Sequence, residues 1–159
     1  MTPKDFWEIA SFVVTVVGLP VAIVIFIYQA RRERANEEEQ EYQLLNDAYN
    51  EFLRVVLEHP DLHLRSNLTT PDLTPDQEER MLVIFDMLIS LFERAYLVAY
   101  APEMPPAMAR RWNSWEDFMR EWCRRENFRA RLPQLLKGED PEFSAYIRRL
   151  AAEEQATSS

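Results

Sequence analysis

Glycine is nearly missing from this chain, with two residues in 159 against ten prolines. Tight hairpins need residues that tolerate positive φ, and phosphate-cradling loops need backbone without a Cβ. The scarcity therefore argues against a sheet protein, a P-loop and a dinucleotide fingerprint. Cys123 stands alone, which excludes an internal disulfide framework and a thiolate metal cluster. Histidine occurs only at positions 59 and 63, and no Ser-His-Asp arrangement presents itself. Positive charge is also short: the net charge of −9 argues against nucleic acid as a partner, because phosphate binding is driven by clustered cations. What is abundant is Glu, Arg, Leu and Ala in long periodic stretches, the composition of an all-α chain.

One long hydrophobic run is present. Residues 9–28 contain no charge, and thirteen of them are Leu, Ile, Val or Phe. At ~1.5 Å per residue a helical run of that length matches the hydrocarbon thickness of a bilayer, roughly 30 Å. Its aliphatic and Phe side chains favour insertion by on the order of 4 to 8 kcal/mol. Trp7 and Tyr28 stand where interfacial aromatic belts stand. A signal peptide is a poorer reading, because Lys4 is followed by Asp5 and Glu8 and the run ends in "YQARRERA" without a small-residue cleavage site. Arg31, Arg32 and Arg34 follow the run, so the positive-inside rule places the rest of the chain in the cytosol; the three arginines also suit anionic headgroups. Gly18 and Pro20 form a mid-run notch, where a kink is expected and a second backbone can approach closely.

Beyond the arginines the pattern changes to soluble helices. Residues 29–41, rich in Glu, read as a charged juxtamembrane stalk. Tyr42, Leu45, Tyr49, Phe52 and Val56 then step by three and four, an apolar seam on a helix that nothing interrupts before His59-Pro60. "PDLHLRSNLTTPDLTP" reads as a loop. Thr74, Pro75 and Gln77 spell an N-cap, a first-turn proline and a capping box. The following body, 81–100, is apolar almost all round, but Asp86, Glu93 and Arg94 each oppose insertion by about 2.5 to 3.5 kcal/mol, so it reads as the central helix of a bundle containing Phe85 and Phe92. Met108, Trp112, Trp115, Met119 and Trp122 form an aromatic seam along the stretch that runs on to Leu132. Gly138 suits a helix end, and Asp140-Pro141 opens a last helix that buries Phe143, Ile147 and Leu150. The domain expectation is an extracytoplasmic stretch 1–8, a transmembrane helix 9–28, the stalk 29–41, a cytosolic bundle of four to five helices at 42–154 and a frayed tail 155–159.

Three groups of residues carry candidate chemistry. Arg54 and His59 match the Arg-x4-6-His motif of HEPN ribonucleases, a resemblance that implies a metal-independent RNA-cutting dimer with His59 as acid–base and Arg54 on the scissile phosphate. "EHPDLH" gathers Glu58, His59, Asp61 and His63, but Pro60 spoils helical pairing of the histidines and no further cluster completes a metal site. The Arg/Trp stretch 110–131 mixes bases with aromatics as single-strand binders do, yet Glu116, Asp117, Glu121 and Glu126 interleave the arginines, which favours core tryptophans with ion-paired arginines outside.

Taken together, "YNEFLRVVLEHPDL", "LFERAYLVAY" and "RRWNSWEDFMREWCRRENFRARL" behind a single span resemble the small bacterial single-pass membrane-anchored helical proteins of unknown function, which implies a fold and an inner-membrane location but no activity. The architecture is more loosely similar to the CRISPR-accessory membrane proteins that join one span to a HEPN-like domain and assemble into pores. The leading expectation is a non-enzymatic, inner-membrane-anchored interaction protein that self-associates, with the lipid bilayer and an unidentified protein as partners and without cofactor or metal. The alternatives are a ring-forming pore or effector, as in phage defence, for which Ser11 and Thr15 give a sparse water-facing lining, and a HEPN-like nuclease.

Overall fold

From position 21 to position 58 the sequence offers neither glycine nor proline, and helix formers dominate. The chain accordingly forms one helix, α1, over Pro3–Glu58, which stops where the residue before Pro60 is driven out of the helical region. The computed structural model describes residues 3–66 and 69–157, with side chains of α1 described from residue 25 onward except 31 and 34–38. The expectations placed on Trp7, Gly18, Pro20, Arg31 and Arg34 concern side chains outside the described residues; Arg32 is exposed. Among the described residues no helix is long and apolar enough to cross a membrane, and the side chains of 9–24 are not among them.

The chain divides into two units, Met1–Gln43 and Leu44–Ser159. The first is the N-terminal part of α1. The second is an all-α bundle, with no strand among the described residues, built from the end of α1, a single 3-10 turn at Pro60–Leu62, and four helices: α2 (Pro75–Ala99), α3 (Pro106–Cys123), α4 (Glu126–Leu135) and α5 (Pro141–Thr157).

Each start has a local cause. At α2, Thr74 Oγ1 accepts from the Gln77 amide at 3.3 Å, while Gln77 Oε1 accepts from the Thr74 amide at 2.9 Å, the reciprocal box that the sequence spells. At α5, Asp140 Oδ1 accepts from the amides of Glu142 and Phe143, both at 2.9 Å. Gly138 takes φ +93°, a conformation that L side chains rarely adopt, and turns the chain between α4 and α5.

The core is aromatic. Leu45, Tyr49, Phe52 and Val56 of α1 are buried, as are Trp112, Trp115, Met119 and Trp122 of α3. Trp122 meets Phe52 of α1 at 5.5 Å, Phe85 of α2 at 6.3 Å and Phe128 of α4 at 6.5 Å between ring centroids, so one indole joins four helices. A second cluster gathers Tyr96 of α2 and Tyr100, which caps its C-terminus, around Trp112 of α3 and Tyr146 of α5. Phe92 is fully buried as well.

Three details differ from the sequence pattern. The stretch 107–132 is two helices, because Arg125 leaves the helical register to bury its guanidinium, which donates to the carbonyls of His63 at 3.3 Å and Leu64 at 3.4 Å and to Thr70 Oγ1. α5 continues through Thr157 rather than ending at 154, with Thr157 Oγ1 donating to the Glu153 carbonyl at 2.9 Å. And α2 is not covered all round: Val83, Met87, Leu97 and Val98 remain exposed.

Truncating Trp122 to alanine removes a ring that four helices share and is expected to cost about 3–5 kcal/mol in chemical denaturation followed by circular dichroism. Leu57→Ala, at an exposed position of α1, is expected to change stability by less than about 0.5 kcal/mol in the same measurement.

Candidate functional site

The residues that the sequence nominates for chemistry are not assembled into one site. Arg54 is exposed and pairs with Glu51 at 2.9 Å, one turn back on α1. His59 sits just past the end of α1, and its Nδ1 lies 3.4 Å from the Arg80 guanidinium of α2. Asp61 is taken up by Arg80 at 2.9 Å and by Gln77 Nε2 at 3.1 Å, and the Gln77 hydrogen bond together with the Arg80 charge holds its carboxyl below the usual range. His63 turns into the left-handed region at φ 49°, its amide donating to the Pro60 carbonyl. Among the described residues no three His, Cys, Asp or Glu side chains gather as a metal group.

The Arg/Trp stretch turns inward. Arg120 holds Glu116 at 2.8 Å, Glu153 at 2.8 Å and Glu154 at 3.2 Å, and Arg124 Nε reaches Glu154 at 2.7 Å. Glu154 is buried, and the hydrogen bond from Arg124 leads in keeping its carboxyl ionised below the ordinary range. Trp112 Nε1 donates to Tyr146 Oη at 3.1 Å, and Tyr146 donates onward to Glu116. Burial and that bond to the ionised Glu116 raise the Tyr146 phenol. These residues form one continuous α3–α5 network. Arg131 pairs with Glu78, so α4 is tied to α2 as well. Cys123 is buried, and burial pushes its thiol up to about 12, which makes it inert as a nucleophile.

Arg125 and Asn127 fix the long loop between α1 and α2. Asn127 Oδ1 accepts from the Thr70 amide at 3.0 Å and from Thr69 Oγ1 at 2.6 Å, and Thr70 Oγ1 donates to the Leu62 carbonyl at 2.6 Å. Beside this anchor, a cleft of about 190 Å³ is lined by Arg65, Arg124, Arg125, Glu121 and Trp122. Arg65 is paired with Glu121 at 2.9 Å and stands over the Trp122 ring at 5.9 Å, so the cleft's cations are already engaged with protein groups.

An open groove of about 360 Å³ between α1 and α2 is lined by Ala48, Glu51, Phe52, Met87, Ser90, Leu91 and Arg94. On α2 the positions 83, 87, 90, 94 and 97 follow a 4-3-4-3 spacing and therefore form one stripe; Leu44, Ala48, Glu51 and Val55 do the same on α1. Val83, Met87, Leu97 and Leu44 are between 44 and 60 % exposed. Sequence reading missed this face, because an apolar pattern on every side of 81–100 hides which side remains open. The spacing that marks it was present all along.

At the far end of α2, Glu93 accepts from the Asp140 amide. Glu139 lies beside it, and a hydrogen bond with Glu93, partial burial and the charges of Glu93 and Asp86 push its carboxyl up to about 7. No motif marks this pair, since its members are 46 residues apart.

The chain matches no protein-family model, no curated protein and no solved structure.

Because folding raises the Glu139 value from 4.5 to about 7, the folded state holds an extra proton between those limits. Its stabilising effect is complete below about pH 4.5 and fades as pH rises to about 7. Glu139→Gln is expected to flatten that decline in urea-unfolding midpoints measured across the window.

Proposed function

We propose that this chain is a single-pass protein of the bacterial inner membrane, held there by residues 9–28, whose cytosolic helical bundle is a non-catalytic module for self-association and for binding a protein partner. The observation that carries the reading is the uncharged run of twenty residues closed by Arg31, Arg32 and Arg34. Ile25, Phe26, Ile27 and Tyr28 support it. They are 46 to 71 % exposed at four consecutive helical positions, which cover about 300° of the circumference. One partner face cannot cover such a girdle, whereas lipid surrounds it on every side.

The non-catalytic reading rests on how the reactive side chains are used. Arg120, Arg124, Arg125 and Arg131 are consumed in ties between helices, the tryptophans of α3 are core residues, and Cys123 is buried. The bundle's open apolar groove is instead a surface suited to another helix.

The full chain, expressed in a bacterium, is expected to stay with the membrane pellet through alkaline carbonate extraction and to float with lipid. A Val17→Arg, Ile23→Arg double variant is expected to be released, since each central charge opposes insertion by about 2.5–3.5 kcal/mol. A cysteine at Ala156→Cys should escape an impermeant maleimide in intact cells and react after permeabilisation. Wild-type chain that remains monodisperse in the aqueous fraction would sink the proposal.

A further inference from the structure

We infer that the α1–α2 groove is the docking face for a second copy of this chain, joined across a two-fold axis that runs along the groove. The inference deepens the self-association proposed above and takes the membrane tether from that reading.

The groove's walls carry opposite charges. Glu51 stands on the α1 side and Arg94 on the α2 side, and both line the same groove. Rotation by 180° about an axis along the groove brings α1 of one copy against α2 of the other. Glu51 of each copy then meets Arg94 of its mate, so the surface is complementary to itself, as an isologous contact requires. Glu51 is free to change partner, because its contact to Arg54 is an exposed i,i+3 pair that contributes little. Arg94 is exposed and makes no ion pair among the described residues.

The apolar pattern fits the same occupant. Val83, Met87 and Leu97 on α2, with Leu44, Ala48 and Val55 on α1, repeat at the three-and-four spacing with which antiparallel helices interdigitate. α1 and α2 are consecutive helices that line the same groove, so the facing of α1 with the mate's α2 makes a four-helix arrangement from two identical halves.

Size sets the conditions under which the pair forms. The α2 stripe, fifteen residues from Val83 to Leu97, is about 21 Å long. Two helices' width of such a stripe falls short of the roughly 1,600 Å² of a standard interface, so the contact is weak in dilute solution. Tethering two copies in one orientation in a bilayer raises their effective concentration and makes the weak contact sufficient.

The test uses the full chain in lipid vesicles, labelled with donor and acceptor dyes at Ala156→Cys, which is selective because Cys123 is buried. Energy transfer is followed against protein-to-lipid ratio for wild type, Glu51→Arg, Arg94→Glu and the Glu51→Arg, Arg94→Glu double variant. Each single reversal creates two like-charge contacts and is expected to raise the density needed for half-maximal transfer by about tenfold, with the double variant returning to within about threefold of wild type. Met87→Glu, at an exposed position, is expected to behave like a single reversal without loss of helical circular dichroism.

A monomeric wild type, or transfer that ignores both reversals, overturns the inference and leaves the groove to a different protein or the contact to the span. Recovery in the double variant, with helical circular dichroism unchanged in both single reversals, separates a contact between copies from an effect of the charges on the fold. Flotation of the same vesicles scores the membrane reading separately. A chain that stays in the aqueous phase is put through the same four variants there, so loss of the tether and loss of the groove contact are read independently.

Discussion

The bundle depends on one indole. Trp122 projects from α3 into a space bounded by Phe52, Phe85 and Phe128, and Arg65 of the loop closes over its face. Four helices take their positions from that ring. Edge-to-face and tilted contacts restrict each neighbour's rotation as well as its distance, and this is how a chain with few β-branched core residues obtains a defined interior. The neighbouring tyrosine and tryptophan cluster at Tyr96, Tyr100, Trp112 and Tyr146 does the same at another part of the bundle, with the Trp112–Tyr146–Glu116 hydrogen bonds adding direction to the packing.

Arginine is the second structural material. Most proteins leave it to solvent, yet here Arg120 and Arg124 converge on buried Glu154, and Arg125 enters the interior to hold the carbonyls of the α1–α2 loop. Guanidinium groups suit this task because their planar fork satisfies several acceptors at once. Arg120, Arg124, Arg125 and Arg131 are drawn inward or into pairs, while the net negative charge follows from 27 acidic against 18 basic side chains.

Among the described residues, two apolar features stay open once the bundle is formed. The girdle at residues 25–28 faces outward on all sides, and the α1–α2 groove faces outward on one. Their geometries call for different surroundings. A girdle is served by an isotropic apolar solvent, whereas a grooved stripe with an acid on one lip and a base on the other is served by an oriented helical partner. The proposed anchor and the proposed pairing face follow from that difference in symmetry.

Much of this was written in local sequence. The helix starts at Thr74 and Asp140, the stop at His59-Pro60 and the turn at Gly138 depend on neighbours within a few residues, so the sequence alone determined them, along with the three-and-four seams that bury Phe52 and Trp115. The uncharged character of 9–28 is likewise a matter of composition and not of contacts. Tertiary structure alone decided the rest. It broke 107–132 at Arg125, because the loop carbonyls that draw in that guanidinium lie some sixty residues away. It set Glu139 against Glu93, and it chose which side of an all-round apolar α2 would be left open. Those outcomes depend on groups distant in the chain meeting in space, which no window of sequence contains.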